Sequence, residues 1–86
     1  MKQLERTIKA MANRRRLAVV KYLKQRRKAT VNELSHEFRI SFKATSKHLG
    51  ILAAAGIVDR EQVGLNMLYS LAPDMPAAAR AILSHL

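Results

Sequence analysis

The chain predicts a mainly α fold carrying one β-hairpin, in the order α-α-α-α-β-β-α. Three observations predict it. Two short amphipathic helical segments are separated only by Phe38-Arg39-Ile40-Ser41. The hydrophobic period then changes from helical to alternating directly after Gly56. Gly64 interrupts that alternating run near its middle, as a hairpin requires.

Each element has its own signals. Leu4, Ile8 and Met11 form the apolar stripe of a first helix that ends near Ala12. Asn13 is placed as the N-cap of a second helix carrying Leu17, Val20 and Leu23. That helix opens on Arg14, Arg15 and Arg16 with no carboxylate, which opposes the helix dipole. It is expected to end in Lys24, Arg26, Arg27 and Lys28, where cations suit the last carbonyls. Thr30-Val-Asn-Glu33 is a capping box that starts a third helix with Val31, Leu34 and Phe38 inward. Ser41 caps the fourth helix, Gly56 stops it, and Thr45, Leu49 and Leu52 mark its buried side. Its other side shows Lys43, Ser46, Lys47 and Gly50. Ile57 to Val63 and Leu65 to Leu71 pair around Gly64, with Leu65, Met67, Tyr69 and Leu71 on one face and Leu68 without an obvious role. Pro76 stands at the start of a last helix, Ala77 to Leu86. Residues 30–55 thus read as a helix-turn-helix and 57–71 as a hairpin wing, within a single domain over 1–86; together they make a winged helix-turn-helix.

Composition narrows the function. The net charge is +10 over 86 residues. With a pI near 11.0, that is the electrostatic footprint of nucleic-acid binding. A hydrophobic content of 49% excludes a disordered basic tail. Eleven of the sixteen Lys and Arg residues fall between Lys2 and Lys28, away from the fourth helix. For Arg14–Arg16 two uses stand open, contacts to backbone phosphates or ion pairs with Glu33 or Glu37. The absence of cysteine removes disulfides, thiolate metal sites and cysteine nucleophiles. The first twenty residues carry charges throughout, so they form neither a signal-peptide core nor a membrane span. Six carboxylates, three dispersed histidines and no Gly-rich phosphate loop make no catalytic constellation, so an enzyme is not expected. A cytoplasmic, nucleoid-associated protein is.

Ala12 to Val20, ANRRRLAVV, resembles the segment that opens the second helix of ArsR-type winged-helix repressors. Val31, Glu33, Leu34, Phe38, Ile40 and Ser41 are similar to that family's third-helix and turn pattern. Ala44, Ser46, Lys47, His48, Leu49 and Leu52 are similar to its recognition helix, Ala55 to Val58 to the exit from it, and Gly64, Tyr69 and Leu71 to the wing. The register holds without a gap from Ala12 to Leu71. Three departures matter. Where the metal-sensing branch has paired cysteines the chain has Ser35 and Glu37, and His36, His48 and His85 are isolated, so neither a metal nor any cofactor is expected. The wing offers Arg60 and Asn66 but also Asp59 and Glu61, which predicts a weak contact. Phe42 stands where a polar residue commonly touches DNA; packing under the turn is expected, contact with a thymine methyl being the alternative. Arg39 occupies a turn position that favours positive φ, at a cost of roughly 1 kcal/mol.

The resemblance implies a homodimeric, sequence-specific regulator of transcription, acting as a repressor on double-stranded DNA. The helix of residues 41–54 would enter the major groove. Ser41, Lys43, Ala44, Ser46, Lys47 and His48, with Arg60 and Asn66 of the wing, are the expected DNA contacts. Dimerisation is expected through residues 1–12 and 76–86, with Leu4, Ile8, Met11, Ala78, Ala81, Ile82 and Leu86 at the interface and an inverted-repeat operator as the consequence. No membrane partner is expected. Two rival readings are a winged helix used to bind an acidic protein or RNA, and a nucleoid protein without sequence preference.

Overall fold

Asn13 breaks the first helical stretch in two. Its backbone is extended and its side chain accepts from the amides of Arg15 and Arg16 at 2.9 and 3.1 Å. In the computed structural model, which describes residues 1–86, α1 (Lys2–Met11) therefore ends before α2 (Arg14–Arg26) begins. The inward stripe of α1 is Thr7, Ala10 and Met11, whereas Leu4 and Ile8 remain 43% and 51% exposed. Thr7 can be buried because its hydroxyl donates to the Gln3 carbonyl at 3.0 Å, which leaves no polar atom unpaired. The Leu4–Ile8–Met11 stripe expected from the sequence is thus split, and only Met11 faces the core.

The second helix stops two residues earlier than its run of cations suggests. Arg27 takes a positive φ of 77° and turns the chain into β1 (Lys28–Thr30), a strand that the sequence pattern did not disclose. Three residues are too few to show an alternating period. Thr30 then caps α3 (Val31–Phe38): its hydroxyl accepts from the Glu33 amide at 3.1 Å, and the Glu33 carboxylate accepts from the Thr30 amide at 2.9 Å. Arg39 ends α3 in the left-handed region, φ 53°. Ser35 holds that turn from both sides: its hydroxyl donates to the Ile40 carbonyl at 2.8 Å and its carbonyl accepts from the Ile40 amide at 3.2 Å.

The fourth helix, α4 (Phe42–Ala54), starts on Ser41, whose hydroxyl accepts from the Ala44 amide at 3.0 Å. It ends in a Schellman arrangement, with Gly56 N–H on the Ala53 carbonyl and Ile57 N–H on the Leu52 carbonyl. Gly56 has φ 74°, and a Cβ there would only touch Pro76 at 3.9 Å, so the glycine is needed for its backbone angle and not for space. The chain continues into β2 (Val58–Val63) and β3 (Asn66–Leu71), joined by Gly64-Leu65, with Val58 opposite Leu71 and Val63 opposite Asn66.

The sheet is antiparallel in the order β1-β3-β2. This explains Leu68. It lies half-buried on the face away from the core, between Thr30 of β1 and Glu61 of β2. Lys28 and Glu61 approach to 3.9 Å on that face, both well exposed, and such a pair contributes little.

One core serves all the elements, with Leu23, Leu34, Leu49, Leu52 and Ile57 wholly buried at its centre. Truncating any one of these leucines would cost about 2–5 kcal/mol. The last helix, α5 (Ala77–Leu83), is shorter than the expected Ala77–Leu86, and Pro76 is its N-cap residue. Ala79 and Met75 are buried, and Ile82, Leu83 and Leu86 pack against the same core. Two carbonyl contacts fasten this end: Lys24 Nζ donates to Leu83 at 3.1 Å and Arg80 to Pro73 at 2.7 Å.

Candidate nucleic-acid interface

Helix α4 has two sides with different chemistry. Thr45, Leu49 and Leu52 are buried, and the Thr45 hydroxyl donates to the Ser41 carbonyl at 2.8 Å. Outward lie Ser41, Lys43, Ser46, Lys47 and Gly50, all exposed, with Ala44 half-buried at their edge. Neither lysine forms an ion pair within the molecule. Lys43 stands in the first turn, which contains no acid, so the dipole disfavours it by about 0.3–1 kcal/mol. A phosphate beside it would reverse the sign of that effect.

His48 is half-buried at the side of this face, and its environment is built by a residue far away in sequence. Arg16 donates from Nε to the Ala10 carbonyl at 2.6 Å and from Nη2 to the Lys9 carbonyl at 3.2 Å, which caps the end of α1. Its remaining nitrogen, Nη1, lies 3.2 Å from His48 Nδ1. A guanidinium has no acceptor, so Nδ1 must accept and the ring proton sits on Nε2. Burial lowers the His48 pKa from its ordinary 6.5, and the charges of Arg16, Arg15 and Lys47 lower it further. The imidazole is therefore neutral at physiological pH, with an Nε2–H donor.

Arg16 thus does not form the ion pair that was one of the two uses expected of it. It is spent on carbonyls and on His48, and no ion pair links Arg14, Arg15 or Arg16 to Glu33 or Glu37. Nothing local in the sequence could have shown this, because the partner lies 32 residues away.

The hairpin runs back beside α4. Arg60 lies in mid-strand, in a cleft of about 840 Å³ shared with Gly50 and Ala53 near the end of the helix and with Asp59 and Glu61. Asn66 lies at the other end, where Leu65, Met67 and Phe42 share a smaller cleft of about 210 Å³. Arg60 and Asn66 therefore flank opposite ends of the helix and do not sit together at the tip. Phe42 is 55% exposed, so the expected packing under the turn does not form. Its ring is left beside the fully exposed Leu65 of the hairpin turn. No three His, Cys, Asp or Glu side chains come together in the structure, and no helix is long and apolar enough to cross a membrane.

Of the residues expected to form a dimer interface, Met11 presents no surface, being 2% exposed. Leu4, Ile8 and Ala81 are exposed, while Ala78, Ile82 and Leu86 are half-buried. The last two pack partly on their own core.

A helix-turn-helix feeding a hairpin that lies along its second helix defines a winged helix-turn-helix DNA-binding protein. Residues 13–60 match the pattern of the bacterial regulatory protein, arsR family, and the chain belongs to that family. It is a DNA-binding regulator of transcription, in a family of regulators and not of enzymes. It is 32% identical over 71 residues to the arsenical resistance operon repressor of Bacillus subtilis (strain 168), across 83% of this chain and 68% of that protein. HlyU from Vibrio cholerae N16961 has a similar structure, with a TM-score of 0.83 and 28% identity, covering 98% of this chain and 87% of that one. The homodimeric winged helix-turn-helix domain of Mb0332 from Mycobacterium bovis, a possible ArsR-family transcriptional regulator, shares the fold. Its TM-score is 0.83 at 24% identity, covering 98% of this chain and 74% of that one.

Proposed function

We propose that the protein is a homodimeric, sequence-specific repressor that occludes its operator by laying α4 in the major groove of double-stranded DNA. The observation that carries this reading is the outward side of α4. Two lysines without partners, two serines and a glycine make a cationic, sterically open face on a helix whose other side is locked into the core. Lys43 and Lys47 neutralise phosphates or read guanine, and Ser41, Ser46 and the Nε2–H of His48 donate to phosphate or base acceptors. Ala44 allows close approach. Arg60 and Asn66 contact the backbone on either side of the helix.

Dimerisation uses the apolar surface left over on α1, Leu4 and Ile8, against the outward side of α5, Ala78 and Ala81, with Ile82 and Leu86 at its edge. The homodimeric state of the Mycobacterium bovis domain, which shares this fold, favours a dimer here. Two α4 helices held this way meet successive major grooves about 34 Å apart, so the operator is an inverted repeat. The repressor action follows the Bacillus subtilis relative.

Competition binding at fixed salt tests the reading. A duplex from the protein's own promoter region should be preferred over a scrambled duplex by on the order of a thousandfold or more. Equal affinity for both would favour a nucleoid protein without sequence preference. Binding to neither, with capture of RNA or an acidic protein instead, would overturn the reading.

A further inference from the structure

Apart from Arg16, which meets His48 of α4, and Lys28, which pairs with Glu61, the positive charge of the first twenty-eight residues takes no part in the contacts proposed for α4 and the hairpin. Only one ion pair forms in the molecule, Lys28 with Glu61, so Lys2, Arg6, Lys9, Arg14 and Arg15 are exposed without a carboxylate partner. Their arrangement is not random. Lys2, Arg6 and Lys9 follow one another at helical spacing on α1 and, with Arg16, line a cleft of about 610 Å³. Its opposite wall is Ile51 and Ala54 of α4, and Glu5 is the one carboxylate in it. Ala54 also borders the cleft of Gly50 and Arg60, so this cleft opens onto the outward side of α4. At the other end of this side, Arg16 lies 3.2 Å from His48, which sets the start of α2, next to Arg14 and Arg15 in the chain, against the middle of α4.

Such a charge distribution opposes folding. Three arginines open α2 with no acid in its first turn, against the dipole, and like charges gathered on one side repel. A polyanion lying across that side removes both penalties. We propose that Lys2, Arg6, Lys9, Arg14 and Arg15 form a track for the sugar–phosphate backbone of DNA, continuous with α4, so that the protein grips phosphates beyond the groove that α4 reads. The proposal rests on α4 being the groove helix. Duplex DNA is favoured over RNA or an acidic protein because the track borders α4 at two places, beside His48 and at Ala54, so one ligand occupies both. Contacts to phosphate carry no sequence information. The track therefore adds affinity and salt dependence, and leaves specificity to α4.

Two sets of charge-neutral variants test this, Lys2→Gln/Arg6→Gln/Lys9→Gln and Arg14→Gln/Arg15→Gln. All five side chains are exposed, so both proteins should keep the wild-type thermal midpoint or exceed it. Binding is followed by fluorescence anisotropy on the preferred duplex and on a scrambled one, each of about three helical turns, over a range of salt. Each set should weaken both duplexes by the same factor. Each should also make the slope of log K against log salt shallower by about 0.9 for every phosphate that the variant no longer neutralises. Wild-type affinity and slope in both sets, while Lys43→Ala/Lys47→Ala binds weakly, would overturn the track and leave the role of α4 intact. A loss confined to the preferred duplex would also overturn it. Failure of the unaltered protein to bind either duplex would instead remove the reading of α4, and the track with it.

Discussion

Arg16 donates to two carbonyls at the end of α1 and to the imidazole of His48, and so ties three helices together through one planar group. A lysine cannot present several donors in one plane, so Arg16→Lys should loosen the junction although it keeps the charge. The expected loss is about 1–3 kcal/mol, measured by urea unfolding. In the ¹⁵N spectrum of wild-type protein His48 should appear as the Nε2–H tautomer, and Arg16→Lys should return it to a mixture. The depressed pKa of the same histidine gives a pH signature. The folded protein binds the proton less readily than the unfolded chain, whose imidazole titrates near 6.5. Stability is therefore undiminished above about pH 6.5 and declines as the pH falls below it. His48→Gln should flatten that decline below about pH 6.5; an unchanged slope would show that His48 is not its source. Arg39 offers a third test. Its φ of 53° burdens any side chain, so Arg39→Gly should raise stability by about 0.5 kcal/mol after the entropy of the freer unfolded chain is subtracted.

At the level of elements, the signals that survived into the structure are those resting on local chemistry. Asn13, Thr30 and Ser41 all cap helices as their side chains demand, and Gly56 and Gly64 both take the positive φ that ends a helix or turns a hairpin. What the sequence hid depends on distant partners. Strand β1 is three residues long and exists because β3 offers it an edge. The inward side of α1 is an exception of a local kind: the Thr7 hydroxyl donates to the Gln3 carbonyl one turn back, which lets a polar residue take a buried place that the apolar stripe does not mark. Phe42 stays exposed and outside the core, which no periodicity reports. Gly50 separates the two influences on α4. It is exposed, and a Cβ built there meets nothing within 4 Å. Gly50→Ala should thus stabilise the protein by about 0.5–1 kcal/mol through helix propensity. If DNA lies against this side, the same methyl group should weaken binding. A variant more stable yet weaker for DNA is the expected pair of results, read by thermal melting and anisotropy.

For the molecule as a whole, the outward residues of α4 were legible from spacing alone, since a helix with a known buried stripe leaves only one side free. Arg60 and Asn66 were expected beside that side from the family resemblance, whereas the Arg16–His48 contact was not, because its partners lie 32 residues apart. The assembly surface was legible in part. Leu4 and Ile8 remain exposed after folding, whereas Met11 is consumed by the core. Removing the chain after Asp74 would strip Met75 and Ala79 from that core, so truncation tests folding as much as assembly. Leu4→Glu/Ile8→Glu is cleaner: sedimentation should show a folded monomer where the unaltered protein is a dimer at micromolar concentration. A variant that stays dimeric would place the interface elsewhere. Everything nonetheless depends on whether α4 touches DNA. The most direct measurement is the salt dependence of duplex binding by Lys43→Ala/Lys47→Ala beside the unaltered protein. Both side chains are exposed and unpaired, so the thermal midpoint should not move. Affinity should fall, and the slope of log K against log salt should shrink by about one unit for each lysine in each subunit. A double variant that binds with wild-type affinity and slope would mean that α4 is not the helix that meets DNA.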